Sequence, residues 1–240
     1  MEPLTATTPR PVRTTVFRQA WLDLAFVHWA LDPDVVAPLL PPGVRPDVLD
    51  GATQVGLVAF RMRDIGIGPT PGIPYLGSFA ETNVRLYTVD EAGRRGVFFR
   101  SLDATRLVPV LVARALGVPY VWSRMSVTDA GPRHAYVCRR RWPGPRGTTS
   151  ALVVRAGERV GEPTELERFV TARWGLHLSG RRGAAAYWPN EHRQWPLHRA
   201  ELEYLDDGLV AAAGLPQPLG TPTSVLWSPG VRVRFGPKKT

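Results

Sequence analysis

Glu81, Asn83 and Arg85 alternate along the stretch Ser78–Tyr87, between the rings of Phe79 and Tyr87. In an extended chain residues i, i+2 and i+4 share a face. The three polar groups therefore form one row, while Ala80, Thr82, Val84 and Leu86 form an opposite row apolar enough to pack on a core. An acid, an amide and a base in line can hold and polarise a small polar molecule. Arginine takes a carboxylate through two parallel hydrogen bonds, and a carboxyl withdrawn from water is tuned for proton transfer. The alternative is a solvent-facing strand whose charges simply pair. The flanking rings weigh against it, and so does the next strand, Gly96–Asp103, where Phe99, Ser101 and Asp103 are expected to share a face. Glu81 is then the candidate acid or base, with Asn83, Arg85, Ser101 and Asp103 as ligand-binding groups around one cavity. His28, in an apolar strand beside Trp29, is read either as a core histidine with its hydrogen bond made or as a further pocket group.

Other chemistries leave no mark. His28, His134, His177, His192 and His198 show no zinc-binding spacing, so no metal is expected. His192 is placed on a loop at the pocket mouth or the surface. There is no Gly-x-Ser-x-Gly elbow, phosphate-binding loop or dinucleotide fingerprint, and no cofactor is expected. Cys138, the one cysteine, sits between Val137 and Arg139 and reads as an inert strand residue.

These residues need a scaffold. A chain of 240 residues with 44% hydrophobic content can build one large β-rich domain. Residues 1–15 read as a flexible N-terminal tail, 16–236 as a single domain and 237–240 as a C-terminal tail. The first residues lack the apolar stretch of a signal peptide, no run of about 18 apolar residues occurs, and a lone cysteine fits a reducing, cytoplasmic setting. The formal charge of +9 comes almost wholly from arginine, since Lys238 and Lys239 are the only lysines. The arginines are scattered, with short runs at Arg94-Arg95, Arg139–Arg141 and Arg181-Arg182. No nucleic-acid module gathers them. The expected partner is a small anionic or oxo compound, not a nucleic acid or a membrane; assembly into a homo-oligomer stays open.

In chain order, a strand spans Val16–Leu31, with Leu22, Leu24, Phe26 and His28 on one face and Trp21, Asp23, Ala25, Val27 and Trp29 on the other. A short helix follows Asp32-Pro33, and Asp50-Gly51 marks a hairpin turn. A strand over Gln54–Arg63 leads into a Gly/Pro-rich loop, Ile65–Tyr75, of a length often used as a lid. Thr105–Leu116 reads as a helix with an apolar stripe of Leu107, Val108, Leu111, Val112 and Ala115. Two strands flank a turn at Asp129–Arg133, and Thr149–Arg155 is another. Thr164-Glu165-Leu166-Glu167 is a capping box opening a helix that runs to Trp174. Beyond it, strands alternate with turns at Asp206-Asp207-Gly208 and Ser228-Pro229-Gly230. The sum is an α+β, mostly β, single domain: a strongly curved antiparallel sheet or β-barrel with about three short helices.

The segment Arg114-Ala115-Leu116-Gly117-Val118-Pro119-Tyr120 is similar to the place where acetoacetate decarboxylases carry a strand-start lysine after a Gly-x-Pro. That lysine forms a Schiff base with a β-keto acid, and those enzymes place a glutamate upstream on a strand, comparable to Glu81. Here Tyr120 stands at the lysine position, and a phenol cannot form an imine. The chain resembles more closely the YqjF-like family of uncharacterised proteins, regarded as relatives of the decarboxylase fold. The resemblance runs from about Phe17 to Phe235. It rests on His28-Trp29, Leu40-Pro41, the row from Phe79 to Tyr87, Ser101-Leu102-Asp103, Arg114 with Pro119-Tyr120, and Trp195-Pro196-Leu197 near His192. It implies an acetoacetate decarboxylase-like fold around a central cavity and supplies no activity. Tyr120 becomes a candidate catalytic donor, and Arg114 and His28 candidate binding residues. Three functions remain: a lyase, isomerase or cyclase working on a small oxo compound without an imine; a non-catalytic binding or carrier protein; and a structural scaffold.

Overall fold

Alternating β-branched and aromatic residues between Gly, Pro and Asp turns give a chain that is mostly strand. The computed structural model describes residues 1–180, 185–217 and 220–239; Arg181-Arg182 lie outside the described residues. The strands are β1 Phe17–Leu31, β2 Val44–Pro46, β3 Thr53–Ile67, β4 Phe79–Asp90, β5 Arg95–Ala104, β6 Tyr120–Ala130, β7 Arg133–Trp142, β8 Thr149–Arg159, β9 Gly175–Ser179, β10 Ala185–His192, β11 His198–Asp207 and β12 Ser224–Phe235. The helices are α1 Pro33–Val36, α2 Leu107–Ala115, α3 Glu165–Thr171 and α4 Leu209–Ala212. The last follows directly on Asp206-Asp207-Gly208, where β11 ends and a turn is expected. Among the described residues no helix is long and apolar enough to cross a membrane.

All the strands join one twelve-stranded curved sheet, in the order β10-β9-β5-β6-β7-β8-β11-β12-β1-β3-β4-β2. Two further pairings, β10–β12 and β5–β4, make it fold back on itself twice. One circuit runs β10-β12-β1-β3-β4-β5-β9 and the other β5-β6-β7-β8-β11-β12-β1-β3-β4. The strands β12, β1, β3, β4 and β5 are a wall common to both, which is why Thr53–Phe60 of β3 is buried at every position. Each side of the wall has its own core. Leu24, Phe26, Val58, Phe60, Leu102, Leu176 and Leu178 pack on the β9 side. Ala25, Val27, Leu57, Val84, Leu86, Tyr136 and Leu152 pack on the β7–β8 side. We call these the first and second chambers. Strands buried on both faces tend to be apolar in both rows, as β3 is over 55–60, whereas β4 is polar in one row. The sheet is not purely antiparallel: β5 pairs parallel with both β6 and β9.

Irregular residues reset which side chains face which chamber. The register between β1 and β3 slips between Leu22 and Ala25, where Asp23 has a φ of 52°. A bulge of this kind flips the parity of everything beyond it, so Trp21 packs with Leu24 and Phe26 in the first chamber instead of on the opposite face. Ser228-Pro229-Gly230 is not a turn. β12 runs through it, with Gly230 opposite Leu22 at a φ of 118°, where an added Cβ would lie 2.1 Å from the Trp21 carbonyl oxygen. β3 continues to Ile67, so the Gly/Pro segment that follows is shorter than expected. The apolar stripe of α2 faces outward: Val110 is buried, whereas Leu107, Val108, Leu111, Val112 and Leu116 are exposed. The N-terminal stretch has neither helix nor strand, but it is held down. The Glu2 N–H donates to the Gly93 carbonyl, Arg10 reaches the Tyr187 hydroxyl, and the Val12 N–H donates to Glu191.

Candidate functional site

The row of β4 lines the first chamber. Across the sheet Glu81 stands opposite Phe60 and Ala104, Asn83 opposite Val58 and Leu102, and Arg85 opposite Gly56 and Phe99. Directly opposed residues project to the same side of a sheet. Glu81 and Asn83 are buried at 2% and 3% exposure. Tyr120 enters from β6, paired with Leu102, and its hydroxyl donates to Glu81 Oε2 at 2.7 Å. Asn83 Nδ2 reaches Glu81 Oε1 at 3.4 Å. Burial pushes the Glu81 carboxyl up to about 7; the bonds from Tyr120 and Asn83 pull the other way, and the nearby Asp103 charge adds to the rise. Burial, together with the Glu81 charge, lifts the Tyr120 phenol well above its usual range. Glu81 thus exchanges its proton near neutral pH while Tyr120 stays a donor.

Arg85 is oriented by a second cluster. Its Nε donates to the Tyr87 hydroxyl at 2.9 Å and its Nη2 to the Val170 carbonyl at 3.1 Å. The Tyr87 hydroxyl also donates to Val170, at 3.0 Å, and lies 2.6 Å from His28 Nε2. Tyr87 has one proton for two neighbours, the Val170 carbonyl and His28 Nε2, and the imidazole tautomer sets the direction of the Tyr87–His28 bond. Burial, reinforced by Arg85 and Arg173, holds the His28 pKa well below its ordinary value, so the ring is neutral. Its Nδ1 is buried and without a partner among the described residues, as is Asn83 Oδ1. Buried polar atoms without partners are uncommon enough to need a reason. Nη1 of Arg85 also makes no hydrogen bond among the described residues, which leaves a charged donor available.

Two local features set this up. Gly56 lies between His28 and Arg85 on β3, and an added Cβ would come 3.1 Å from the imidazole and 3.3 Å from Arg85 Cγ. Only a glycine lets both side chains cross the strand here. The capping box at Thr164 is formed as the sequence indicates, with Thr164 and Glu167 bonding each other's backbone. It fixes the start of α3, whose last turn presents the unpaired Val170 carbonyl to Arg85, where a cation also suits the helix dipole. The helix ends at Thr171, short of Trp174.

The other expected site residues lie elsewhere. The β4–β5 register slips between Val84 and Arg85, so Val84 faces Ser101 while Arg85 faces Phe99. Phe99 therefore shares the first chamber, but Ser101 and Asp103 project into the second. There Arg140 holds Asp103 through Nε to Oδ1 and Nη2 to Oδ2, both at 2.9 Å, and reaches Ser101 Oγ at 2.8 Å. Ser123 donates to Asp103 at 2.7 Å. Arg114 is outside both chambers: it is exposed, donates to the Tyr120 carbonyl at 2.8 Å and lies over the Trp142 ring. His192 ends β10 and is buried, 4.6 Å from the Trp174 ring and 4.9 Å from Trp195. Burial lowers its pKa to about 4, with Arg85 near enough to contribute. The expected place for it was a loop at the pocket mouth or the surface; instead it lies in a strand, buried against those rings. Gly56 and Val170 carry no signal that a sequence reading could use.

The chain matches the family DUF2071, described as an uncharacterized conserved protein, over residues 18–232. It is 28% identical over 208 residues to the uncharacterized protein YqjF of Bacillus subtilis (strain 168), covering 86% of this chain and 85% of that one. Its fold is similar to that of the enduracididine biosynthesis enzyme MppR complexed with pyruvate, at a TM-score of 0.62 and 16% identity over 97% of this chain and 90% of that one. It is similar also to an acetoacetate decarboxylase-like enzyme from Sphingomonas wittichii RW1, at 0.61 and 16% over 94% and 92%. Acetoacetate decarboxylase from Legionella pneumophila gives 0.61 and 14% over 97% and 91%. The fold is acetoacetate decarboxylase-like.

Proposed function

We propose a function from the premise that this chain belongs to the DUF2071 family and has the decarboxylase-like fold: it binds a small oxo or hydroxy acid in the first chamber and moves a proton on it without an imine. One observation carries this reading. A buried carboxyl whose pKa sits near 7 shares a chamber face with an arginine that keeps a free nitrogen. Arg85 Nη1 supplies the donor for a carboxylate or developing enolate. Asn83 Oδ1 supplies an acceptor for a hydroxyl. Glu81 takes the proton from carbon and returns it, and Tyr120 keeps a hydrogen bond on the carboxyl throughout. Pyruvate bound to the MppR neighbour is a molecule of this class. An imine route would need a lysine where Tyr120 stands. The lysines of this chain are Lys238 and Lys239, and Lys239 pairs with Tyr187 on β10.

The experiment is a thermal-shift screen of small oxo acids, hydroxy acids and β-dicarbonyls, run on the parent chain and on Arg85→Ala and Glu81→Gln. A ligand at a hundred times its Kd adds about 2.7 kcal/mol of stability. The expected hit shifts the parent, fails on Arg85→Ala and still binds Glu81→Gln. Turnover of that hit, followed by solvent deuterium incorporation, should vanish in Glu81→Gln. Binding without any exchange in the parent would make the chamber a carrier site. A panel-wide absence of shifts would leave it a structural network.

A further inference from the structure

The outward apolar stripe of α2 is not isolated. Beside it a groove of about 700 Å³ runs between α2 and the adjoining ends of β6 and β7, lined by Leu107, Leu111, Trp122, Trp142 and the arginines Arg139, Arg141 and Arg146. Arg140 contributes to the lining too, but its guanidinium is turned inward on Asp103. Arg139, Arg141 and Arg146 form no ion pair with any carboxylate among the described residues, and no carboxylate lines the groove. Arg141 lies 4.8 Å from the Trp122 ring centroid, and Arg114 lies 5.3 Å from that of Trp142. Stacking of this kind holds a guanidinium plane in place while leaving its edge donors free. Leu107 and Leu111 are 38% and 48% exposed, which in a packed protein calls for an apolar neighbour.

We infer that this groove binds a monomeric amphiphilic organic anion, a carboxylate or phosphate head on an apolar chain. The head meets Arg139, Arg141 and Arg146, and the chain lies along Leu107, Leu111 and Trp122. Charge decides the occupant. An uncharged apolar molecule would leave unmatched arginines, and a second copy docking by a two-fold axis would set arginine against arginine. The groove volume falls within the range of small-molecule sites. This binding is separate from the polar row of the first chamber: Glu81, Asn83, Arg85 and Tyr120 do not line the groove, and Trp122 is the groove residue that also packs on the first-chamber core.

The test is calorimetric titration with decanoate below its micellar concentration, on the full chain. Saturable binding is expected. It should weaken about tenfold or more in the Arg139→Gln/Arg141→Gln variant, which removes charge-assisted contacts at exposed positions where folding is not at stake. It should weaken with added salt, and decanol should bind about tenfold more weakly than decanoate. Equal affinity for decanol, or unchanged affinity in the double variant, overturns the proposal. So does binding to phosphatidylglycerol vesicles with none to monomeric decanoate, which makes the face a bilayer contact. Self-association that disappears in Leu111→Asp makes it a contact between copies and overturns the proposal as well. Loss of decanoate binding in Arg85→Ala, with the arginine variant unaffected, would place decanoate in the chamber and overturn it without touching the reading of the chamber itself.

Discussion

Two buried polar clusters sit back to back on the same wall of strands, and they are built differently. In the second chamber Asp103 and Arg140 meet in a bidentate pair, and Ser101 and Ser123 complete it. None of those four side chains keeps an unpartnered buried atom. In the first chamber Glu81 is buried without a counter-ion, and Asn83 Oδ1 and His28 Nδ1 have no partner among the described residues. A closed ion pair answers its own electrostatic demand and asks nothing of a ligand. An open cluster holds its groups in place against water, ready for a molecule that completes them. A carboxyl group and an arginine therefore form a closed pair on one side of the wall and, on the other, the open cluster that we propose as the site.

Breaking the closed cluster should cost the most. Arg140→Met leaves Asp103 as an uncompensated buried charge and should lose about 3–5 kcal/mol of stability in denaturant titration. Ligand affinity of whatever still folds should be unaltered. A loss under about 1 kcal/mol would mean that the two clusters do not differ as described.

The next effect sharpens the open cluster. The Glu81 pKa is raised from 4.5 to about 7 on folding. The folded state holds this proton more tightly than the unfolded chain, so the contribution is full below pH about 4.5 and is lost as pH rises through about 7. A shift of this size corresponds to about 3 kcal/mol. Denaturation across that window should show stability falling with pH by an amount that disappears in Glu81→Gln. A pH dependence identical in the two proteins would mean that Glu81 does not titrate there.

Gly56→Ala tests whether the shape of the open cluster matters apart from its charges. The added methyl meets His28 and Arg85 at 3.1 and 3.3 Å, so both must shift. The expected cost is about 1–3 kcal/mol, together with loss of any ligand shift that needs Arg85. Full ligand binding in this variant would separate the ligand from that arginine.

The smallest change is Tyr120→Phe. It removes one bond that pulls the Glu81 pKa down, at a cost of about 1 kcal/mol. The acid limb of any activity profile should move to higher pH. An unmoved limb would detach the activity from Glu81.

How much of this was legible can be judged residue by residue. The row Glu81, Asn83 and Arg85 was readable because β4 pairs with β3 in unbroken register, so a period of two predicts its faces. Ser101 and Asp103 face the other chamber because β5 slips against β4 between Val84 and Arg85, and Trp21 changes face because β1 bulges at Asp23. A bulge needs no distinctive residue, only a partner strand with one residue fewer. The α2 stripe was found at the right spacing, but spacing cannot say whether a neighbour covers it.

Local chemistry by itself determined most of the segments that extend, turns such as the one at Asp129–Arg133, and where α3 begins. These follow from proline, glycine, caps and alternation, which act over a few residues. The missing lysine at Tyr120 came from the family resemblance. Only the tertiary structure decided which chamber each polar side chain enters, that Val170 and Gly56 frame Arg85, and that Glu81 lacks a counter-ion while Asp103 has one. Those outcomes depend on strand register and on burial. Both are set by pairing across distances in the chain that no local pattern spans.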